Sequence, residues 1–258
     1  MAQPLRRFED RRILITGAGS GIGQATVARL LEEGGTVIAA DIAEAGLAVT
    51  RDRAKAAGDG DRLTTVAADV SSEASVRDAI GGAIRALGGL DVVVNAAGIL
   101  RASHTHETTL DFWNKVIAVN LTGTFLVTRE ALPALLASGR GVVVNFSSTS
   151  ASFGHAYMAA YAATKGGIQS FTHAIALEYA KQGLRAVSVQ PGSIQSGMSD
   201  DPGVPADADW SLFAKMSPAL AEGFAPPSVV ASAIAMLASD DGRFVTGTEL
   251  RIDGGAHM

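Results

Sequence analysis

A glycine-rich turn near the start of the chain constrains the fold more than any other stretch. It follows a short apolar run at residues 13–16 and precedes apolar residues that recur with helical spacing. This order predicts a β-strand, a tight turn and an α-helix. The turn has the spacing Thr-Gly-x-x-x-Gly-x-Gly, at Thr16, Gly17, Gly21 and Gly23. Because glycines let the backbone approach a phosphate closely and a helix N-terminus supplies free N–H groups, we predict a pyrophosphate site here.

Apolar runs continue to alternate with helical patterns along the rest of the chain. Further strands are predicted at residues 36–40, 63–67, 91–95, 142–146, 185–190 and 249–252. Helices are predicted at residues 43–57, from 71 or 72 to 87, at 109–138, from before 161 to about 181, and at 228–238. The strands lack period-two alternation, which indicates a parallel sheet covered by helices on both faces. With 258 residues and 47% hydrophobic content, we expect one α/β domain over residues 1–258.

Polar or turn-forming residues follow the carboxyl ends of the predicted strands. They are Gly17, Asp41, Asp69, Asn95, Ser148 and Pro191. Ligands bind along this edge in open parallel sheets, so we expect these residues to face one crevice. Asp41 lies 18 residues after Gly23, where a carboxylate can bind the two hydroxyls of an adenosine ribose. No Lys or Arg lies between Arg29 and Arg51, so a ribose 2′-phosphate would meet this carboxylate unaided.

Tyr161 and Lys165 are four residues apart on a predicted helix and therefore share a face. A unit charge at about 5 Å with an effective dielectric near 20 is worth roughly 3 kcal/mol, or about two pK units. We therefore expect Lys165 to lower the pKa of Tyr161 and make it a proton-transfer group. Ser148 lies 13 positions before Tyr161 and offers a hydroxyl to a substrate oxygen.

These motifs, together with Asn95-Ala96-Ala97-Gly98, resemble those of the short-chain dehydrogenase/reductase family. The resemblance covers residues 12–255. It implies a single Rossmann-type, doubly wound sheet with strand order 3-2-1-4-5-6-7. It also implies an NAD(P)-dependent oxidoreductase that transfers a hydride to or from a secondary alcohol or ketone. Ser20 and Ile42 stand where NADP-using members often carry a basic residue, so NAD is the expected cofactor and NADP the less favoured one.

The resemblance assigns roles to individual residues. The catalytic set would be Asn120, Ser148, Tyr161 and Lys165. The cofactor-binding residues would be Gly17, Ser20, Gly21, Ile22, Gly23, Asp41, Asp69, Val70, Asn95, Ala96, Gly98, Tyr161, Lys165, Pro191, Gly192, Ile194 and Ser196. Ser196 replaces the threonine of the family pattern Pro-Gly-x-x-x-Thr and keeps its hydroxyl. From the residues alone, Asn120 either repairs a helix irregularity or holds a functional water; by resemblance it positions a water that links Lys165 to solvent.

A long segment at about 193–225 is predicted to form a mobile lid, because most loops in compact domains have about 4–6 residues. Its apolar side chains are Met198, Trp210, Leu212, Phe213, Met216 and Phe224, and a short helix is expected near 210–216. The opposing walls would be Leu100, Phe153 and Met158. We therefore expect a moderately apolar alcohol or ketone substrate.

Composition narrows the remaining classes. The chain has no cysteine, which excludes disulfides and thiolate catalysis. A net charge of −5 argues against nucleic-acid binding. The charged N-terminus and the lack of a long apolar run predict a soluble, cytoplasmic protein without a membrane segment. His104-x-His106-Glu107 resembles a ligand cluster, but loop histidines are the favoured interpretation and no metal is expected.

The small residues of the helix after Tyr161 favour close packing against another helix. They are Ala159, Ala163, Gly166, Gly167 and Ser170. With the habit of the family, they predict a homo-oligomer, most simply a tetramer, although the glycines could instead pack within one subunit. Two other function classes stay open: a non-catalytic NAD-binding regulatory protein, and an epimerase or dehydratase that uses NAD transiently.

Overall fold

Seven parallel strands form one sheet in the computed structural model, which describes residues 5–220 and 223–258. The strands are β1 Arg12–Thr16, β2 Thr36–Asp41, β3 Leu63–Ala67, β4 Val92–Asn95, β5 Val142–Phe146, β6 Arg185–Pro191 and β7 Glu249–Ile252. Their order is β3-β2-β1-β4-β5-β6-β7, as predicted. Every pairing is parallel, so the carboxyl ends of the strands meet along one edge.

Helices cover both faces of the sheet. In the described residues they are α1 Gly21–Glu32, α2 Glu44–Ala56, α3 Glu73–Ser75, α4 Gly81–Ala86, α5 Leu110–Val116, α6 Gly123–Ala137, α7 Ala159–Tyr179, α8 Gly197–Asp200 and α9 Pro227–Ala238. Within β1, Ile13 and Ile15 belong to the core shared with α1 and α9, whereas Leu14 belongs to the core shared with α6 and α7. Both faces are therefore apolar, which explains why the strands lack alternation.

Local sequence sets several helix ends. The Thr109 side chain caps α5 by accepting a hydrogen bond from the Phe112 N–H, and Ser72 caps α3 in the same way through Ser75. Pro227 is the first residue of α9, a position that needs no N–H donor. The predicted helix over residues 109–138 contains a π-helical turn, Ile117–Thr122, between α5 and α6.

The small-residue face of α7 does not act as a single surface. A Cβ at Gly167 would lie 3.0 Å from Leu121 Cδ2 of the same chain, so this glycine admits a helix contact within the subunit. A Cβ at Gly166 would meet nothing within 4 Å. The intrasubunit interpretation is therefore correct for Gly167, and Gly166 remains available to an outside partner.

The segment that joins β6 to α9 crosses the carboxyl edge of the sheet. We call residues 193–225 the lid segment; among its described residues it carries α8 and a 3₁₀ helix, Trp210–Met216, close to the expected short helix. The Ala102 N–H donates to the Pro202 carbonyl at 2.7 Å, and the Asp209 N–H donates to the Tyr157 hydroxyl at 2.9 Å. In the described part of the chain, the helices fall short of the length and apolarity that crossing a bilayer requires.

Candidate active site

A cleft of about 1230 Å³ opens at the carboxyl edge of the sheet, where the strand-end residues were expected to meet. It is bordered by the connections that follow β1 to β6 and by the lid segment. All the predicted catalytic and cofactor-binding residues line it except Asn95 and Asn120. The predicted crevice therefore exists, and it contains both the glycine-rich turn and the Tyr161–Lys165 pair.

The glycine-rich turn needs its glycines for two reasons. Gly17 and Gly21 have positive φ angles of 66° and 51°, a region that side-chain-bearing residues avoid. A Cβ at Gly17 would lie 2.7 Å from the Ala96 backbone, and a Cβ at Gly23 would lie 2.1 Å from the Gly17 oxygen. Ser20 precedes α1 without capping it through its side chain. The first turn of α1 thus has no side-chain cap and suits an anion.

Asp41 stands beside this turn at the end of β2. Its two carboxylate oxygens accept hydrogen bonds from the Gly19 and Ala43 N–H groups, each at 2.8 Å. These bonds fix the carboxylate at the edge of the cleft. Ile42, the next residue, is 69% exposed and brings no charge. Among the described residues that line the cleft, the cations are Lys115 and Lys165, and neither comes from the connections after β1 or β2.

Ser148, Tyr161 and Lys165 converge at the other part of the cleft. Ser148 follows β5, and its side chain lies near enough to the Tyr161 phenol to favour a lower pKa of that group. One helical turn beyond Tyr161, the Lys165 ammonium lies 5.3 Å from the centre of the Tyr161 ring. The Lys165 Nζ donates to the Phe146 carbonyl at 2.7 Å, which ties α7 to the end of β5. The sheet and α7 therefore hold these three side chains together.

Burial sets the proton affinities of the pair. It raises the pKa of Tyr161 to about 12, although the interaction with the Ser148 side chain opposes the shift. Burial also lowers the pKa of Lys165 to about 7. The net shift of the Tyr161 pKa is therefore upward, because loss of solvent is its largest cause, and the lowering expected from Lys165 stays a prediction. Tyr161 therefore keeps its proton at neutral pH and is ready to act as an acid.

Asn120 lies in the π-helical turn, fully buried behind the cleft. Its Oδ1 accepts from the Ile99 N–H at 2.8 Å, and its Nδ2 donates to the Ile99 carbonyl at 2.9 Å. The same Nδ2 donates to the Thr164 hydroxyl at 3.2 Å. The amide thus joins the loop after β4 to the residue that precedes Lys165. Its role in holding a water stays a prediction.

Asn95 was expected to touch the cofactor, but its side chain points into the protein. Nδ2 donates to the Thr128 hydroxyl at 2.9 Å and to Asn145 Oδ1 at 2.8 Å. Asn145 in turn donates to the Thr172 hydroxyl at 2.9 Å. This buried network links β4 and β5 to α6 and α7. The contact predicted for Asn95 therefore has no support from its side chain, whereas the other three residues of that motif, Ala96, Ala97 and Gly98, line the cleft.

The lid segment forms the apolar part of the cleft. Its lining residues include Met198, Trp210, Phe213, Met216 and Phe224, opposite Leu100 and Met158. Two expected wall residues are elsewhere: Leu212 is 49% exposed, and Phe153 stacks on His257 with ring centres 4.3 Å apart.

Two histidines that no motif indicated also line the cleft, His155 and His257. His155 lies on the connection between Ser148 and Tyr161, but this position was a weak signal, because Phe153 of the same connection does not line the cleft. Nothing in the sequence showed that the tail after β7 returns to the cleft.

The His104-x-His106-Glu107 cluster contacts the lid segment. His104 Nε2 lies 3.0 Å from Asp207 Oδ1, and its ring meets that of Tyr157 edge to face at 5.1 Å. Across residues 5–220 and 223–258, no group of three or more histidine and carboxylate side chains is arranged to hold a metal ion.

Comparison with known proteins agrees with this geometry. The model of the family described as short chain dehydrogenase matches residues 11–203, so the chain belongs to this family of Rossmann-fold oxidoreductases, which use nicotinamide cofactors. A 2,5-dichloro-2,5-cyclohexadiene-1,4-diol dehydrogenase from Sphingobium indicum is 36% identical over 249 residues, covering 96% of this chain and 97% of that protein. A cis-4-hydroxycyclohexanecarboxylate dehydrogenase from Sinomonas cyclohexanicum is 38% identical with the same coverage of both chains.

A solved structure extends the comparison to a bound cofactor. It is a 3-oxoacyl-[acyl-carrier protein] reductase with bound NAD from Brucella melitensis. That structure superposes with a TM-score of 0.85 at 30% sequence identity, over 99% of this chain and 94% of the other.

Proposed function

We propose that this protein is an NAD-dependent oxidoreductase that interconverts a secondary alcohol and a ketone, with Tyr161 as the general acid and base. The observation that carries the proposal is the meeting of two groups in one cleft. The glycine-rich turn and Asp41 occupy one part, and Ser148, Tyr161 and Lys165 occupy another. A binding protein without chemistry has no need of the second group.

The residues in the cleft suit a dinucleotide. The glycine-rich turn and the uncapped start of α1 would hold the pyrophosphate. Asp41 would accept hydrogen bonds from the adenosine ribose, and Lys165 would hold the nicotinamide ribose. When bound, nicotinamide gives or takes the hydride at its C4 position.

Tyr161 donates a proton in one direction of the reaction and accepts it in the other. During ketone reduction, the substrate carbon gains the hydride while the Tyr161 phenol gives its proton to the substrate oxygen, which becomes a hydroxyl. The Lys165 ammonium stabilises the resulting phenolate. During oxidation the phenolate takes the hydroxyl proton back. Ser148 donates a hydrogen bond to the substrate oxygen and keeps it in reach of Tyr161.

The substrate would be a small, moderately apolar molecule. The lid segment supplies apolar walls, and both named relatives act, by their names, on six-membered carbon rings that carry two oxygen functions. A panel of cyclic and open-chain secondary alcohols with NAD tests this directly. Formation of NADH with at least one of them is expected. NADH binding without turnover would instead indicate a regulatory protein, and product formation without net change in NADH an epimerase or dehydratase.

Asp41 is proposed to select NAD over NADP. Its carboxylate, fixed by two backbone N–H groups, would face the ribose hydroxyls of NAD and repel a 2′-phosphate. We expect kcat/KM for NAD to exceed that for NADP by at least about 100-fold, and Asp41→Asn to narrow this ratio by about 10-fold or more. Asp52→Ala, at an exposed site on α2, is the control. Equal kcat/KM values for NAD and NADP in the wild type would contradict this assignment.

A further inference from the structure

Two histidines form a polar corner in the otherwise apolar substrate part of the cleft. His155 comes from the loop between Ser148 and Tyr161, and His257 comes from the tail after β7. Both line the cleft, and their rings stack with centres 5.4 Å apart and planes tilted by 12°. The pair thus belongs to the same space as the reacting groups.

The tail is anchored, so the pair has a defined position. His257 Nδ1 lies 3.1 Å from Asp253 Oδ2, and both side chains are less than 10% exposed, at 8% and 6%. Phe153 stacks on the His257 ring at 4.3 Å. The backbone N–H groups of Ala219 and Leu220 both donate to the Gly254 carbonyl, which ties the tail to the lid segment.

His155 has an unused hydrogen-bonding atom. Its Nε2 is shielded from solvent and has no hydrogen-bond partner among the described residues. A shielded polar atom without a partner is costly, so a site that keeps one gains when a ligand supplies the partner. Burial and the neighbouring His257 lower the pKa of His155 to about 4, so the ring is neutral near pH 7. A neutral imidazole has one donor and one acceptor, which suits a hydroxyl or carbonyl oxygen better than a carboxylate.

We propose that His155 is a specificity-determining residue that hydrogen-bonds a second, uncharged oxygen of the substrate, while the stacked His257 keeps its ring in place. The substrate class is therefore a diol, a hydroxyketone or a diketone on an apolar carbon frame. This inference rests on the proposed function, because Ser148 and Tyr161 must hold the first oxygen.

The test compares two matched pairs of alcohols with NAD. One pair is cyclohexane-diol and cyclohexanol, and the other is a vicinal butanediol and the secondary butanol. The quantity measured is the ratio of kcat/KM for the diol to that for the mono-alcohol. The wild type should prefer the diol in at least one pair. His155→Phe, which keeps the stack on His257, should lower the ratio by at least about 10-fold.

Two further variants distinguish recognition of the substrate by His155 from a structural effect of the substitution. His155→Gln retains a donor and an acceptor and should stay within about threefold of the wild-type ratio. His173→Phe, an exposed histidine of α7 that contacts Glu249 outside the cleft, is the matched control and should leave the ratio unchanged. Thermal melting checks folding, and His155→Leu replaces the Phe variant if that protein does not melt cooperatively.

The outcomes decide between the two proposals. A His155→Phe ratio equal to that of the wild type, or a parallel loss with both alcohols, would overturn the role of His155. A wild type that prefers both mono-alcohols would overturn it as well. A wild type that binds NADH by fluorescence but oxidises none of the four alcohols would contradict the proposed function itself.

Discussion

Lys165 is a buried cation at a position where an apolar side chain would make the fold more stable. It is 5% exposed, and its Nζ has a carbonyl partner but no carboxylate within ion-pair distance among the described side chains. Burial lowers its pKa from 10.5 to about 7. A destabilising side chain is expected at a candidate active site, because proteins often retain function at a cost in stability.

The cost of burying Lys165 predicts an unusual pH dependence of the stability of the fold. The unfolded chain binds the Lys165 proton more tightly than the folded chain, so the penalty is full below about pH 7 and disappears above the unfolded pKa of 10.5. Lys165→Met should therefore raise the melting temperature by several degrees at pH 6 and by much less at pH 10. Calorimetry at the two pH values measures the difference. A variant that melts below the wild type at pH 6 would show that the ammonium stabilises the fold.

At the residue scale, spacing was enough to find the reacting side chains. The i, i+4 relation of Tyr161 and Lys165 needs only a helix, and α7 supplies it. Their pKa values could not be read in the same way, because burial depends on how Phe146, the lid segment and the rest of α7 close around them. The inward turn of Asn95 was equally hidden, because its partners Thr128 and Asn145 are distant in sequence.

At the element scale, the strands and most helices follow from apolar runs and caps. The π-helical turn at Ile117–Thr122 does not, because it reflects tertiary bonds of Asn120 to Ile99 and Thr164. The lid segment was found by its length and composition. The path of the lid segment could not be predicted from the sequence. The residues to which it attaches, Tyr157, Ala102 and Gly254, carry no local signal of these contacts.

The lid segment is expected to open and close. Its large apolar side chains Trp210, Leu212 and Phe224 are 66%, 49% and 51% exposed, and sparse apolar burial is typical of segments with low local stability. In hydrogen exchange, residues 193–220 should exchange faster than β5 in the free protein. They should become protected when NADH and an alcohol are bound together, a pair that cannot react. The same strong protection with and without the ligands would identify the segment as fixed structure.

At the scale of the whole molecule, the family resemblance predicted the order of the strands in the sheet. It did not predict that the tail after β7 returns to the cleft. An oligomer remains a prediction, supported by large apolar side chains on α5 to α7. Leu110, Phe125 and Leu177 are 71%, 42% and 84% exposed. Exposed apolar side chains of this size are candidates for contacts between subunits.

Light scattering is expected to give a tetramer for the wild type. Leu177→Glu should reduce the measured mass, because a buried charge at a subunit contact is strongly unfavourable. Val49→Glu on α2, where Val49 is 47% exposed, is the control and should leave the mass unchanged. A monomeric wild type would refute the predicted assembly.

The role of Tyr161 is tested most directly by Tyr161→Phe, measured on the best alcohol of the panel. The variant loses one oxygen atom and keeps the ring beneath the Lys165 ammonium. We expect kcat to fall by at least about 100-fold, the usual scale for a general acid or base, while the NADH dissociation constant stays within about threefold. Tyr157→Phe, which removes the hydroxyl that accepts from the Asp209 N–H, should have a much smaller effect. A Tyr161→Phe variant that keeps wild-type turnover would contradict the role of Tyr161 as the general acid and base.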